Sequence, residues 1–395
     1  MSLPSYYEFF NPVKIASGKK ALDNLPYELN QLNVQRPLIV TDKGVVEAGL
    51  VGIVTSAFAG SGITLGGIYD DVPSDSSSEV VKAGANVYQQ NECDSLIAVG
   101  GGSPIDTAKG VNILVSEKSD DLLKFAGHDV LRHPLNPLIV IPTTAGTGSE
   151  VTYVAVIADL ERNIKMSFTS VHLYPRLAIL DPRMTLTMPP KITAATGMDA
   201  LSHAMEAVTC LQKNPVSDAF AMAAIELIRD NLVQVVKHGR DEEGRLAMAN
   251  AACLAGAAFS NSMVGLVHAL GHATGAVARV PHGVAMSLFL PYVFEYNLEK
   301  TEPDVARLLL PFGGSEEYVK TPAGHRARRT IELIRALRQK LFELCAFPRT
   351  LKEAGVSRDK LEIIAQKATN DGSLTFNPVE ADYKDALLLL KEAYE

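Results

Sequence analysis

The chain has 395 residues, which is too long for one ordinary hydrophobic core, so its length predicts two domains. Its composition, 47% hydrophobic and 21% charged, is that of a well-packed globular protein and excludes a disordered chain. The formal net charge of −8 argues against a nucleic-acid partner, because binding phosphates through side chains requires a surplus of Lys and Arg.

The sequence predicts neither a membrane span nor a leader peptide. The most apolar run, residues 249–259, contains Asn250 and many small residues, which is typical of a buried helix. The N-terminus lacks a basic segment followed by an apolar one, so no secretory signal is predicted. The four cysteines are scattered without a C-x-x-C pair, which favours reduced core residues over disulfides or thiolate metal sites. These features predict a cytoplasmic protein.

The first half of the chain alternates apolar, strand-like runs with amphipathic, helix-like stretches. Strands are predicted at residues 36–42, 63–69, 94–99, 137–142 and 176–180, and helices at residues 79–91 and 105–116. Continuous apolar strands separated by helices indicate a parallel sheet covered on both faces. The predicted fold class of this half is therefore an α/β domain with a parallel sheet.

The character of the sequence changes near Pro189 and Pro190. Beyond them strand signals almost vanish, and helical periodicity predicts helices at residues 193–211, 216–238, 242–261 and 326–343. A double proline is typical of a helix start or a domain boundary. We therefore predict an α/β domain over residues 1–188 and an all-helical domain over residues 189–395. Within the second domain, residues 313–324 are predicted to form a long irregular loop.

A glycine-rich run, VGGGSPID at residues 99–106, follows a predicted strand and opens a predicted helix. Glycines let the backbone approach a phosphate closely, and Pro104 fits the first turn of a helix. The free N–H groups and positive dipole end of that helix suit a pyrophosphate. A tight turn without a ligand explains the glycines alone equally well. The run also differs from the G-x-G-x-x-G fingerprint of the Rossmann fold.

A second polar loop, PTTAGTGSE at residues 142–150, follows the next predicted strand. Hydroxyl groups and small residues at the end of a parallel strand suit contacts with ribose or phosphate. Asp42 also lies at a strand end and can accept hydrogen bonds from ribose hydroxyls. Its charge would then disfavour a 2′-phosphate and favour NAD over NADP. Alternatively, Asp42 is a turn residue or the N-cap of the following helix.

The second half of the chain contains a set of candidate metal ligands. Asp199 and His203 are four residues apart on a predicted helix, and so are His268 and His272, which places each pair on one helix face. His282 follows in a turn. A lone buried histidine is usually a core residue, but several in apolar sequence are costly to bury without a common partner. Imidazoles with one carboxylate suit Zn²⁺ or Fe²⁺. The spacing leaves five candidates and does not select among them.

The chain resembles the iron-containing (group III) alcohol dehydrogenase family over nearly its whole length. The resemblance rests on GGGSPIDTAK at residues 100–109, PTTAGTGSEVT at 142–152, ATGMDALSHAME at 195–206, VHALGH at 267–272 and VPHG at 280–283. It implies an α/β dinucleotide-binding domain and a helical, metal-binding catalytic domain. One stretch departs from the family pattern, because VPSDSS at residues 72–77 replaces a V-x-P-N-P-T motif whose asparagine touches the cofactor.

The resemblance also implies an activity and a set of site residues. The expected activity is metal-dependent, NAD(P)-linked oxidation of a small alcohol or diol, or reduction of an aldehyde, by a homodimer or larger homo-oligomer. Asp199, His203, His268 and His282 would hold a divalent metal, Fe²⁺ first and Zn²⁺ second, which leaves His272 as a catalytic residue that relays the alcohol proton. NAD(H), before NADP(H), would bind at Asp42, Gly101, Gly102, Ser103, Asp106, Thr143, Thr144, Thr147, Thr152 and Lys165.

Two alternative functions fit the same sequence. A hydroxyacid–oxoacid transhydrogenase would share the scaffold and keep NAD(H) bound throughout its cycle. A non-catalytic protein would use the histidine cluster as a structural zinc site, although such sites are usually rich in cysteine. A zinc peptidase is not supported, because neither histidine segment carries the glutamate of an H-E-x-x-H motif.

Overall fold

The computed structural model describes residues 4–162 and 164–395, and these form two compact units. The first unit is Asn11–Thr187, and the second combines residues 4–10 with Met188–Glu395. The sequence pattern does not predict that residues 4–10 lie with the second unit. The ring of Phe9 stacks on Phe220 with centroids 5.3 Å apart, and the backbone N–H of Phe10 donates to Asn261 Oδ1 at 2.8 Å.

The first unit contains a six-stranded parallel sheet, as the sequence predicts. Its strands are β1 (Lys14–Ser17), β2 (Pro37–Val40), β3 (Gly67–Tyr69), β4 (Ser95–Gly100), β6 (Leu138–Pro142) and β9 (Leu177–Leu180). They lie in the order β1-β9-β6-β4-β2-β3, and every neighbouring pair is parallel. The helices of this unit are α1 (Leu25–Gln31), α2 (Lys43–Glu47), α3 (Leu50–Ser56), α4 (Ser78–Gln90) and α5 (Gly102–Glu117). The α/β prediction for this half is confirmed.

Alternating residues of the central strands pack on opposite faces of this sheet. One face places Leu38, Leu96 and Val140 in a core with residues of α4 and α5. The other face places Ile39 and Ile97 in a second core with residues of α1 and α3. Burying each such side chain contributes about 1.5–3 kcal/mol. Apolar runs without polar alternation therefore reflect strands that are covered on both sides.

A second, three-stranded sheet was not predicted. It contains β5 (Gly127–His128), β7 (Val154–Asp159) and β8 (Ile164–Thr169), in the order β5-β8-β7. Strands β7 and β8 pair antiparallel, whereas β5 runs parallel to β8. Several positions of β7 and β8 are exposed, so these strands lack the continuous apolar run by which the central strands were predicted.

The second unit is helical in the part that the structure describes, as predicted. Its helices are α6 (Pro190–Thr209), α7 (Pro215–Lys237), α8 (Glu242–Ser260), α9 (Leu266–Ala278), α10 (His282–Tyr296), α11 (Leu298–Lys320), α12 (Arg326–Cys345), α13 (Leu361–Ala368) and α14 (Tyr383–Glu392). The predicted helices correspond to α6, α7, α8 and α12, each within one helical turn at its ends. Side-chain caps define several starts: Asn214 and Ser217 form a capping box at α7.

The loop predicted at residues 313–324 is wrong for most of its length. Helix α11 extends to Lys320 and is interrupted at Gly314, whose φ of 83° and ψ of 169° are non-helical. The turn after the break is stabilised by ion pairs from Lys320 to Glu316 and from Arg329 to Glu317. Proline and glycine at residues 311–314 indicate a break in the helix. This break is one residue long, at Gly314, and is not the long loop that was predicted.

Among the described residues, no helix contains a stretch that is both long and apolar enough to cross a bilayer.

Candidate active site

Four side chains of the helical unit form a group that can hold a metal ion. They are Asp199 and His203 on α6, His268 on α9, and His282 at the first residue of α10. One nitrogen or oxygen ligand atom from each lies within 4.8 Å of the others. These four residues span more than 80 positions of the sequence, and the packing of three helices brings them together.

Local sequence explains how each ligand reaches this group. Asp199 and His203 occupy adjacent turns of α6, which is buried along most of its length. His282 Nε2 lies 3.2 Å from Asp199 Oδ1. That approach requires glycine at the next position, because a Cβ on Gly283 would lie 2.1 Å from the backbone oxygen of Ala195. A side chain there would separate α10 from α6.

The electrostatics of the group suit a cation. Burial lowers the pKa of His203 to about 3, and burial likewise lowers the pKa of His268 well below its usual value. Both imidazoles are therefore neutral at pH 7 and can offer lone pairs. Burial by itself raises the pKa of Asp199. The neighbouring His282 and His203 lower this pKa by more than burial raises it, so the net pKa is below the usual range. One carboxylate and neutral imidazoles form a ligand set for Zn²⁺ or Fe²⁺.

Two ring nitrogens without hydrogen-bond partners also indicate that these residues fit a metal. His203 Nδ1 and His268 Nε2 are buried and have no hydrogen-bond partner among the described residues. A buried polar atom without a partner costs about 1–3 kcal/mol. A divalent cation that accepts a lone pair removes such a cost, whereas an apolar core offers no compensation.

His272 lies beside this group and is more exposed than the three candidate ligands on α6 and α9. Its ring centroid lies 5.7 Å from that of His268 and 5.4 Å from that of His282. Its Nδ1 forms a 3.0 Å hydrogen bond with Asp371 Oδ2, and 41% of its side chain is exposed. Burial by itself raises the pKa of Asp371. The hydrogen bond and charge of His272 outweigh burial, so the net pKa of Asp371 is below its usual value. No sequence pattern linked Asp371 to His272.

A second site candidate lies in the first unit, at the carboxyl end of its parallel sheet. Strands β4 and β6 are neighbours, and the N–H of Thr143 donates to the backbone oxygen of Gly100 at 3.0 Å. The two loops predicted to bind a dinucleotide therefore start side by side. A Cβ on Gly101 would lie 3.1 Å from Thr144 Oγ1, and one on Gly102 would lie 3.3 Å from Thr147 Cγ2. The close packing of the loops therefore favours glycine at both positions.

Ser103 and Asp42 lie at the same edge of this sheet. The hydroxyl of Ser103 donates to the backbone oxygen of Ser74, so the segment that departs from the family pattern packs against the glycine-rich turn. Asp42 follows β2, which is paired with β4. Its Oδ1 accepts a 2.9 Å hydrogen bond from the N–H of Val45 and caps α2. The N-cap alternative for Asp42 is therefore observed, and this cap uses one of its two carboxylate oxygens.

The three remaining residues of the predicted dinucleotide site are Asp106, Thr152 and Lys165. Asp106 Oδ1 accepts from the hydroxyl of Ser149 at 3.1 Å, and its Oδ2 accepts from the N–H of Val156 at 3.0 Å. Both oxygens thus fasten α5 to the second loop and to β7. Thr152 is buried. Lys165 is exposed on the smaller sheet.

Lys109 is a fully buried residue that was not among the predicted site residues. Its Nζ lies 2.8–2.9 Å from the backbone oxygens of Ser149, Thr152 and Val154, and within 3.3 Å of the hydroxyls of Ser149 and Thr152. Burial lowers its pKa to about 8, while Asp106 and Glu150 raise it, so it is protonated at pH 7. One lysine on α5 therefore organises the end of the second loop. The motif GGGSPIDTAK contains this residue, but its acceptors lie 40 or more positions away.

Glu150, beside Lys109, predicts a pH dependence of stability. Burial raises its pKa to about 7 from an ordinary 4.5, although its own backbone N–H and the charge of Lys109 lower it. Between pH 4.5 and pH 7 the folded protein retains a proton that the unfolded chain has released, so stability falls as pH rises through this window. Gln cannot titrate. We therefore expect the melting temperature of Glu150→Gln, relative to the unmodified protein, to rise by about 5 °C from pH 5 to pH 7.5.

Differential scanning fluorimetry across this pH range measures the effect. Glu161→Gln is the matched control, because it makes the same chemical change at an exposed position. A difference between Glu150→Gln and the unmodified protein that stays constant with pH would show that Glu150 is already ionised at pH 5.

Comparison with known proteins finds matches to both units. A family profile described as "Iron-containing alcohol dehydrogenase" matches residues 12–182, and one described as "Fe-containing alcohol dehydrogenase family, C-terminal" matches residues 193–394. The NAD-dependent methanol dehydrogenase of Bacillus methanolicus is 34% identical over 385 residues, which are 98% of this chain and 99% of that protein.

Two further similarities concern diol-oxidising proteins. The 1,3-propanediol dehydrogenase of Klebsiella pneumoniae is 35% identical over 382 residues, 95% of this chain and 96% of that protein. A crystal structure of a 1,3-propanediol oxidoreductase gives a TM-score of 0.94 at 34% identity, with 98% of this chain and 100% of that chain covered.

Proposed function

This chain belongs to the iron-containing alcohol dehydrogenase family, and from that premise we propose that Asp199, His203, His268 and His282 hold the catalytic metal of an NAD-dependent alcohol and aldehyde oxidoreductase. Membership of the family makes the chain an oxidoreductase that uses a divalent metal and NAD(H). The observation that supports the ligand assignment is the approach of four ligand atoms to within 4.8 Å of one another. In addition, the buried His203 and His268 each have one ring nitrogen without a hydrogen-bond partner among the described residues. We expect Fe²⁺ first and Zn²⁺ second.

The ligand set explains the chemistry that we assign to the site. When bound, the metal supplies a Lewis acid for the oxygen of an alcohol or carbonyl group, and NAD(H) accepts or supplies the hydride. Asp199 contributes one negative charge, and an imidazole that binds a metal through its lone pair contributes none, so the ligands would leave a divalent ion with positive charge. His203 and His268 keep their lone pairs at pH 7 because burial disfavours their protonated forms.

The first unit, Asn11–Thr187, is proposed to bind the dinucleotide, and Met188–Glu395 to bind the metal and carry out catalysis. Gly101, Gly102 and Ser103 would face the pyrophosphate at the start of α5, and Thr143, Thr144 and Thr147 would contact phosphate or ribose. Thr152 and Asp106 are proposed to stabilise these loops. Their polar side-chain atoms already accept hydrogen bonds, from Lys109 in the case of Thr152 and from Ser149 and Val156 in the case of Asp106. Lys165 is proposed to reach the dinucleotide from the smaller sheet.

Asp42 is proposed to favour NAD over NADP. Its free carboxylate oxygen would accept from a ribose hydroxyl, and its charge would repel a 2′-phosphate. In Asp42→Asn the side-chain oxygen that caps α2 is retained and the charge is lost. We therefore expect the ratio of kcat/KM for NADP⁺ to that for NAD⁺ to rise about tenfold or more, which corresponds to about 1.4 kcal/mol of lost discrimination.

Asp121→Asn is the matched control for this measurement. Asp121 also caps a short helix, through the N–H of Leu123, but lies outside the proposed site. Steady-state kinetics with both cofactors should show an unchanged ratio for Asp121→Asn. An unchanged ratio for Asp42→Asn as well would mean that Asp42 is only a cap.

His272 is proposed to relay the alcohol proton. Asp371 engages its Nδ1, which orients the ring and leaves Nε2 as the nitrogen that can take up or release a proton. We expect His272→Ala to lower kcat by about 10²-fold while leaving the metal content of the protein unchanged. Elemental analysis and steady-state kinetics on the same preparation measure both. Loss of metal from this variant would show that His272 is a ligand instead.

The substrate is proposed to be a small primary alcohol, a diol or the corresponding aldehyde. The support is the similarity to a methanol dehydrogenase and to 1,3-propanediol dehydrogenases over both units. A screen of NADH oxidation with aldehydes and ketones tests this proposal. Steady consumption of added NADH by a small aldehyde is the expected result. Turnover only when a hydroxyacid and an oxoacid are both present would contradict it.

We further propose that the protein works in the cytoplasm as a homodimer or larger homo-oligomer. Cys93 and Cys210 are buried and form no disulfide, which is compatible with a reducing compartment. Strand β1 lies at an edge of the large sheet with exposed residues, including Ile15, and such an edge can pair with another chain. Light scattering on the purified protein tests the oligomer, and a strictly monomeric mass would contradict it.

A further inference from the structure

Glu206, on the helix that carries Asp199 and His203, lies buried against the start of α9. Its Oε1 accepts hydrogen bonds from the backbone N–H groups of Gly265 at 3.1 Å and Val267 at 2.9 Å. Helix α9 begins at Leu266, and the N-cap residue Gly265 has no side chain to satisfy these groups. A carboxylate at a helix N-terminus also interacts favourably with the helix dipole. Glu206 therefore caps α9 from a different helix.

Asn377 completes this cap. Its Oδ1 accepts from the N–H of Leu266 at 3.2 Å, and its amide exchanges two hydrogen bonds of 2.9 Å with Asn297. The N–H groups of residues 265–267 are thus all satisfied by side chains from elsewhere in the chain. Gly265 is required for this packing, because a Cβ there would lie 2.8 Å from Asn377 Oδ1 and 3.2 Å from Glu206 Oε1.

The second carboxylate oxygen of Glu206 has a different partner. Its Oε2 is hydrogen-bonded to His268 Nδ1, and both side chains are almost fully buried. The other ring nitrogen, His268 Nε2, is one of the buried atoms of the candidate metal site that have no hydrogen-bond partner among the described residues. His268 can bind a metal through Nε2 only in the tautomer that carries its proton on Nδ1, and in that tautomer Nδ1–H donates to Glu206 Oε2. The hydrogen bond also fixes the rotation of the ring.

We propose that Glu206 is a positioning residue that sets the metal affinity of this protein. It connects α6, which carries Asp199 and His203, to α9, which carries His268, and it selects the tautomer in which His268 can act as a ligand. This inference rests on the metal site of the proposed function. It adds a residue that is not itself a ligand, at i+3 from His203 on the same helix.

The two tasks of Glu206 can be separated by substitution. In Glu206→Gln the side chain retains a carbonyl oxygen for the backbone N–H groups of α9 but places an NH₂ group against His268 Nδ1. That donor favours the tautomer with its proton on Nε2, where it blocks a metal. Asn377→Ala is the matched control, because it removes another cap of the same helix turn and leaves the contact between Glu206 and His268 intact.

The test measures metal affinity and stability in full-length protein stripped of metal with a chelator. Zn²⁺ is titrated in competition with a chromogenic chelator, and melting temperatures are recorded without metal. We expect the Kd for Zn²⁺ to rise by about 10- to 100-fold in Glu206→Gln and to change by less than about threefold in Asn377→Ala. The melting temperature of Asn377→Ala should fall at least as far as that of Glu206→Gln.

Three results would overturn the inference. An unchanged Zn²⁺ affinity in Glu206→Gln would show that Glu206 is only a cap. An equal loss of affinity in both variants would show that affinity follows the stability of α9 and not the tautomer of His268. An unmodified protein that binds no Zn²⁺ would remove the metal site itself, and with it the proposed function on which the inference rests.

Discussion

Replacing His203 with Ala should yield a folded protein that retains little metal, with kcat/KM for a small alcohol lowered by about a thousandfold or more. His203 is buried on α6, its ligand atom lies within 4.8 Å of those of the other three residues, and its imidazole is neutral at pH 7. A loss of this size corresponds to about 4 kcal/mol of transition-state stabilisation, which is typical for removal of a Lewis acid from a reaction that depends on it. Elemental analysis and steady-state kinetics on one preparation measure both quantities.

His238→Ala is the control for His203→Ala. His238 lies in the same unit, at the exposed C-terminal end of α7, and outside the candidate site. Its replacement should change neither metal content nor kcat/KM. Full activity in His203→Ala, or full metal content without activity, would contradict the assignment of His203 as a ligand.

Replacing Lys109 with Met should destabilise the first unit and weaken NAD⁺ binding. The substitution leaves the backbone oxygens of Ser149, Thr152 and Val154 buried without their common donor. Each hydrogen bond from a charged donor contributes about 1.5–3 kcal/mol, so we expect the melting temperature to fall by about 6–12 °C. The loop that ends at Thr152 should lose its conformation, and the KM for NAD⁺ should rise about tenfold.

Lys82→Met is the matched control for this prediction. Lys82 is an exposed lysine on α4 in the same unit, so its replacement should alter the melting temperature little. Thermal unfolding and NAD⁺ kinetics are measured for both variants. If Lys109→Met has the same melting temperature as the unmodified protein, the five contacts of the ammonium group contribute nothing to stability.

The sequence predicts the fold well where burial is one-sided or complete. The central strands are buried on both faces, so their apolar runs are long enough to recognise, and the helices of the second unit have clear periodicity. Strand β1 was missed, because it is short, mostly exposed and at the edge of the sheet. Order along the chain also differs from order in the sheet: β9 is the last strand in sequence but lies between β1 and β6.

The candidate site was predictable only as far as local spacing extends. Spacing of four residues on a helix pairs Asp199 with His203, and His268 with His272, since one helical turn joins each pair. The three-helix arrangement that adds His282 depends on long-range packing, and the resemblance to a known family, not spacing, set His272 apart. Asp371 lies 99 residues from His272, and no periodicity connects two residues at that distance.

The most direct test of the metal assignment is dialysis of the purified protein against a chelator, followed by addition of Fe²⁺ or Zn²⁺. Activity is followed as NADH oxidation with a small aldehyde, and metal content by elemental analysis. The proposed site predicts about one ion per chain, loss of turnover when the ion is removed, and recovery when it is restored. Undiminished turnover by a protein free of metal would contradict it.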